Sequence, residues 1–149
     1  MKNKIFYAHK VAYSTDVEIA LQYVDEYSGL VLAFANTIHN AEGGTHLIGF
    51  RKALTRVLNK YGRENKLIRE KDQNLVGDDV EEGLTAIVSV KVRDPQFEGQ
   101  TKAKLGNTEV RSAVESVVAE KFMEYLGENP QDARAILGKT LLAAKARLA

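Results

Sequence analysis

The sequence contains no cysteine and no tryptophan, only two prolines and almost no surplus charge, its 21 lysines and arginines facing 20 aspartates and glutamates. Without cysteine there are no disulfides, thiolate nucleophiles or cysteine-ligated metals, a composition that fits a reducing cytoplasm. A formal net charge of +1 sets up no field that demands nucleic acid, so any such partner must be argued from a local patch. No apolar run approaches the roughly 20 residues of a membrane span, and the opening "MKNKIFYAHK" lacks the apolar stretch of a signal peptide. What is present is 149 residues, 44% apolar and 28% charged, enough to bury one core. The expectation is a single soluble, cytoplasmic domain over residues 1–149, with no membrane partner.

Periodicity gives the layout. Residues 4–13 favour a strand, and Val17, Ile19, Leu21 and Tyr23 alternate with polar residues as in a strand with one wet face. After a turn at "DEYSG", the run "LVLAFANTI" reads as a strand buried on both faces, or nearly so. From "EGGTH" the period changes: Leu47, Phe50, Leu54, Val57, Leu58 and Tyr61 form one helical face, with Thr45 as N-cap. "NLVGDDVEEG" reads as a loop with one short helical turn, and Leu84, Ala86, Val88, Val90 and Val92 as a fourth strand. A second long helix is capped by Asn107 or Thr108 and buries Val110, Ala113, Val114, Val117, Val118 and Tyr125. A third starts at Asn129-Pro130 and buries Ala133, Leu137, Leu141, Ala144 and Leu148. Its pattern runs over 130–149 without a stop signal, as though it continued in a longer parent chain. The class is α+β, two-layered, with a mixed four-stranded sheet and helices on one face.

Several constellations could carry chemistry. His39, Glu42 and His46 lie close in sequence but run from a loop into a helix start, without a third ligand at metal-site spacing, so no metal site is expected. Asp78, Asp79, Glu81 and Glu82 read as dipole partners on a solvated surface. Lys52, Arg56, Lys60 and Arg63 share the helix face opposite the apolar stripe. They could follow the phosphates of DNA, although a solvated face has the same spacing. The run "PQFEGQTKAKLGN", residues 95–107, is a long basic connection between strand and helix. In it Gly99 and Gly106 would let backbone approach a ligand, Lys102 offers a mobile point charge for a terminal phosphate, and Gln100 a neutral donor beside it. A loop kept soluble by lysines fits the same composition. No Walker motif, dinucleotide fingerprint or nucleophile elbow accompanies it.

The blocks "FANTIHNAEGGTHLIGFRKALTRVLN", "KDQNLVGDDVEEGLTAIVSVKV" and "PQFEGQTKAKLGNTEVRSAVESVVAEKF" together resemble the second, transducer domain of gyrase B, the ATP-hydrolysing half of bacterial DNA gyrase, a type II topoisomerase. The match runs in order over nearly the whole chain from about Val17. The resemblance implies a βββαβα order with a left-handed βαβ crossover, a ribosomal-protein-type second-domain fold, where general chain chirality would favour a right-handed one. It implies that Gln100, Thr101 and Lys102 form a "QTK" loop reaching into a neighbouring ATPase domain. There Gln100 and Lys102 would meet the γ-phosphate of ATP, Lys102 serving as the catalytic contact in the transition state. ATP and Mg2+ would be bound mainly by that other domain, leaving none for the isolated fragment, which is expected to be inactive. The partners implied are the ATPase and DNA-cleavage domains of the same polypeptide, gyrase A and double-stranded DNA. Two alternatives are the corresponding domain of topoisomerase IV and a free-standing nucleic-acid-binding domain of similar fold. The sequence departs from the family pattern at His39 and Glu81.

Overall fold

The structure, a computed structural model, describes residues 4–25, 29–99 and 101–149. Strands β1 (Phe6–Ala12) and β2 (Thr15–Tyr23) form a hairpin whose two loop residues, Tyr13 and Ser14, both have positive φ, as a tight two-residue turn requires. β3 (Leu30–Ala35) follows, then a two-residue strand β4 (Ile38–His39), helix α1 (Thr45–Glu64) and the short helix α2 (Gly77–Glu81). β5 (Leu84–Lys91), the short strands β6 (Phe97–Glu98) and β7 (Lys104–Leu105), α3 (Thr108–Glu128) and α4 (Pro130–Leu148) complete the chain. The turn expected at "DEYSG" falls largely outside the described residues.

The main sheet has the order β1-β2-β5-β3-β4 and is mixed, with β3 parallel to β5 and the other pairs antiparallel. It has five strands rather than the expected four. Asn36 and Thr37 both take positive φ, which folds Ile38–His39 back onto the end of β3. The chain order is also richer than βββαβα, because β4, α2 and the β6–β7 ribbon intervene.

Both long central helices lie on one face of this sheet. Val17, Ile19, Leu21 and Tyr23 of β2 and Leu84, Ala86, Val88 and Val90 of β5 point under them and are buried, whereas their neighbours are not. β3 obeys the same rule, which corrects the expectation of a strand covered on both sides. Ala33 and Ala35 are buried, Leu30 is exposed and Phe34 half-buried. On the open face Tyr7, Ala20, Ile87 and Leu32 stand opposite one another across four strands.

The apolar stripes of α1 and α3 form the interior between them: Phe50, Leu54, Val57 and Leu58 meet Val110, Val114, Val117 and Val118 in one cluster. Phe6 of β1 closes one end, its ring edge-on to Phe122 and Tyr125 at 5.2 and 5.4 Å. α4 buries Ile136 and Thr140 along with Ala133, Leu137 and Ala144, while Leu148, expected inside, is half exposed. Capping departs from expectation. Gly44, not Thr45, precedes the first helical residue of α1, and the buried Thr45 hydroxyl has no partner among the described residues. Asn107 and Asn129 do stand at the N-caps of α3 and α4, but neither side chain caps its helix. Asn107 instead joins the two ends of the 95–107 connection, accepting from the Gln96 amide at 2.6 Å and donating to the Asp94 carbonyl at 2.9 Å.

The two helices approach closely where α1 has Gly49. A β-carbon there would lie 2.7 Å from the Arg111 carbonyl oxygen of α3. Gly49→Ala is therefore expected to lower stability by about 1–3 kcal/mol through overpacking, despite alanine's better helix propensity. Gly138→Ala on α4, where a β-carbon meets nothing within 4 Å, should raise stability by up to about 1 kcal/mol. Urea unfolding of both variants checks this, and equal stability of Gly49→Ala and the parent would contradict the close crossing.

Candidate functional site

The 95–107 segment is not the free loop that its polar composition suggests. β6 and β7 pair as a ribbon, Phe97 opposite Leu105 and Glu98 opposite Lys104. Leu105 is buried, and Phe97 packs against the core from its edge. Lys104 lies 3.2 Å from Glu98 across the ribbon. At the tip, Thr101 and Lys102 are exposed, and Gln100 lies outside the described residues. Lys102 has a φ of 57°, a left-handed conformation uncommon for a residue with a side chain. Its ammonium has no partner among the described residues. Gly106 does not open the segment to a ligand: its position faces the Gln96 carbonyl on the ribbon's own opposite side. Gly99 has a φ of 81°, and a β-carbon there would meet nothing within 4 Å among the described residues.

The stretch between β4 and α1 holds this ribbon. The Glu42 amide donates to the Ala103 carbonyl at 2.8 Å, and the Leu105 amide to the Gly43 carbonyl at 3.0 Å. Gly44, at φ 137°, sits so close to Leu105 that a β-carbon would fall 2.3 Å from the Leu105 oxygen, so no other residue fits. Behind it His46 is fully buried. Its Nδ1 accepts from the Leu47 amide at 3.0 Å, which puts the ring proton on Nε2. Nε2 then donates to Asn40 Oδ1 at 2.9 Å, and Asn40 Nδ2 donates to the Lys102 carbonyl at 2.7 Å. Burial lowers the His46 pKa to about 4, with the Gly44 carbonyl pulling the other way. His39, Glu42 and His46 are not brought together: His39 and Glu42 are exposed, and the His39 ring lies against Phe34. Among the described residues no group of three or more such side chains is placed to hold a metal.

The basic face of α1 divides in two. Lys52 and Lys60 are exposed, and neither is held by an ion pair among the described residues. Arg56 lies 3.7 Å from Glu115 of α3. Arg63 is a staple for the segment after α1, donating to the Arg69 and Asp72 carbonyls at 2.8 Å each and to Asn74 Oδ1 at 2.7 Å. The acids of α2 divide likewise. Glu81 pairs with Arg51 at 2.9 Å. Asp79, expected on a solvated surface, is buried: it accepts from the Val76 amide and receives a two-pronged contact from Arg147, at 3.0 and 3.1 Å. A partner 68 residues away is not readable from local spacing.

The sequence profile of the DNA gyrase B family matches residues 1–149. Relatives that are themselves DNA gyrase B proteins include those of Clostridium acetobutylicum, 52% identical over 98% of this chain and 23% of the relative, and Bacillus mycoides, 56% identical over 89% of this chain and 33% of the relative. The chain thus spans a third or less of the length of these relatives. The fold superposes on the 43K ATPase domain of Thermus thermophilus gyrase B, determined in complex with an aminocoumarin, with a TM-score of 0.90 and 42% identity over 97% of this chain and 39% of that one. It also superposes on the topoisomerase IV ATP-binding domain of Francisella tularensis, with a TM-score of 0.87 and 25% identity over 97% of this chain and 40% of that one. Among the described residues no helix is long and apolar enough to cross a membrane.

His46 makes stability depend on pH. Its folded-state pKa, about 4, lies below the ordinary 6.5, so between those values the unfolded chain binds the proton that the fold refuses. Stability is expected to be full above about pH 6.5 and to fall as pH drops towards 4, by up to about 3 kcal/mol. Urea midpoints across this range should be flatter for His46→Gln than for the parent; parallel profiles would remove His46 as the source.

Proposed function

The chain belongs to the DNA gyrase B family, and on that premise we propose that it is the transducer unit of a gyrase B protein, coupling ATP binding and hydrolysis in an adjoining ATPase domain to DNA strand passage and supercoiling. The observation that carries this reading is the ribbon tip, where a lysine without a partner among the described residues takes a left-handed backbone conformation on a ribbon anchored at its base. A compact ammonium so presented fits a phosphate oxygen of a ligand bound elsewhere. Among the described residues, those around Lys102 form no adenine pocket and no metal-ligand group; in this reading ATP and Mg2+ are bound mainly by other parts of the polypeptide. ATP there supplies the phosphoryl group, and Lys102, with Gln100 and Thr101, meets its γ-phosphate and stabilises the charge that develops as that group departs. Once the phosphate is gone, the tip loses a differential contact and the two domains are free to reorient.

The same reading makes the connection from β3 through α1 to β5 a left-handed crossover. The partners are the ATPase and DNA-cleavage domains of the same polypeptide, gyrase A and double-stranded DNA. For DNA contact we assign the exposed Lys52 and Lys60 first and Arg56 behind them, because Arg63 is committed to the 69–74 segment. The likeness to a topoisomerase IV domain supports that enzyme as the alternative parent. The higher identity to several gyrase B proteins favours gyrase. Nothing observed favours a free-standing nucleic-acid-binding domain.

In a gyrase B protein carrying this sequence, assembled with gyrase A, Lys102→Ala is expected to lower ATP turnover about 10²- to 10³-fold, with a smaller effect on nucleotide affinity. Gln100→Ala should act in the same direction but more weakly, since it removes a neutral donor. Lys104→Ala, which breaks only the exposed pair with Glu98, should be nearly silent. Turnover at the parent rate in Lys102→Ala would refute the phosphate contact. Reversing the charges of Lys52 and Lys60 should weaken DNA stimulation of the ATPase and flatten its salt dependence; an unchanged salt series would leave a solvated face.

A further inference from the structure

We propose that Asn40 and His46 are positioning residues that set the backbone of Lys102, and with it the aim of the ammonium, from the first turn of α1. The inference rests on the γ-phosphate reading above for its consequence, but its geometry is independent of it. Hydrogen bonds run in one direction without a break: the Leu47 amide at the start of α1 donates to His46, His46 donates to Asn40, and Asn40 donates to the Lys102 carbonyl. The Lys102 carbonyl can only accept, so Asn40 Nδ2 donates to it, Asn40 Oδ1 faces His46, and His46 Nε2 donates. The middle of the chain is sealed, with Asn40 2% and His46 0% exposed, so water does not compete for the bond between them. The main chain of Asn40 is fixed as well, its amide donating to the Ala33 carbonyl of β3 and its carbonyl accepting from Gly43.

The role follows from what Lys102 needs. Left-handed backbone at a residue with a side chain costs on the order of 1 kcal/mol or more and must be imposed from outside. Asn40 holds the Lys102 carbonyl, and therefore the peptide plane to Ala103, in the orientation that this conformation requires. Without that bond the peptide is free to turn over, and the lysine is aimed elsewhere. In the other direction, a shift of the tip when its phosphate leaves is passed through Asn40 and His46 to α1 and through the Asn40 main chain to β3. The sheet and the helix layer thus both receive it.

Two variants interrupt the chain at different links. Asn40→Asp keeps size and the acceptor for His46 but places an oxygen against the Lys102 carbonyl, and His46→Leu leaves Asn40 unsupported. His46→Gln retains an amide donor towards Asn40 and is the conservative control. In the assembled enzyme, Asn40→Asp and His46→Leu are expected to lower kcat for ATP about 10-fold with KM changed by no more than about 3-fold, as for a misplaced catalytic group. His46→Gln should stay near the parent. In a Lys102→Ala background Asn40→Asp should cost nothing further, since the group it positions is gone. Amide exchange in the 149-residue chain gives a readout that does not involve ATP. The Glu42 and Leu105 amides should exchange at least about 10-fold faster in Asn40→Asp, with those of α1 and α3 unchanged.

Parental turnover in Lys102→Ala would sink the phosphate reading while leaving the exchange result to judge the anchoring. Parental kcat and unaltered exchange in Asn40→Asp and His46→Leu, with Lys102→Ala impaired, would overturn the positioning role itself. Equal acceleration of exchange throughout α1 and α3, or a further loss in the Lys102→Ala background, would make the pair ordinary core packing and overturn it too.

Discussion

Everything at the candidate site depends on one backbone-to-backbone approach, that of Gly44 to Leu105. With no room for even a methyl group between them, the start of α1 and the base of the β6–β7 ribbon are held as a single piece. The flanking bonds from Glu42 to Ala103 and from Leu105 to Gly43 follow from that contact. So does the burial of His46, which lies beneath it. Move the ribbon outward by the width of a side chain and water would reach the Asn40–His46 pair. Lys102 would then lose the bond that orients it. A surface projection can be both exposed and stiff when its root is built this way, and a contact to a ligand in another domain needs both.

The long elements are legible in the sequence because their residues repeat one physical requirement many times. The α1 and α3 stripes and the alternation in β2 and β5 each follow from burial on one side, and the residue pattern carries that burial at every turn or every second position. The short elements are not legible. β4, β6 and β7 have two residues each, too few for any period. Their pairing is decided by positive φ at Asn36 and Thr37 and by contacts between segments about 60 residues apart.

The site is half legible for the same reason. Lys102 stands out as a cation in a polar, glycine-containing run, and Lys52 and Lys60 as members of a spaced set. Asn40 carries no such mark, and His46 shows only as a metal-ligand candidate, because what each does is defined by a partner distant in sequence. The signal available is an asparagine and a histidine flanking paired glycines just before a helix. Glycines that allow close backbone approach imply that something approaches, and neighbouring polar residues are then candidates to meet it. Arg63 and Asp79 carry the converse lesson. Both read as surface charges, yet both are consumed by internal bonds.

The fork between Arg147 and Asp79 gives α4 a mechanical character. A helix fixed only along its apolar stripe would peel away from one end under load, one turn after another. Here the Lys145–Leu148 end of α4 is tied to α2 by a two-pronged contact from the exposed Arg147 to the buried Asp79 carboxylate. α2 is in turn fastened to the sheet by the Tyr23 hydroxyl, which donates to the Val80 carbonyl at 2.6 Å. The end of α4 is thus connected to β2 through α2 by side-chain bonds at Asp79 and Tyr23, and not only by its own apolar stripe.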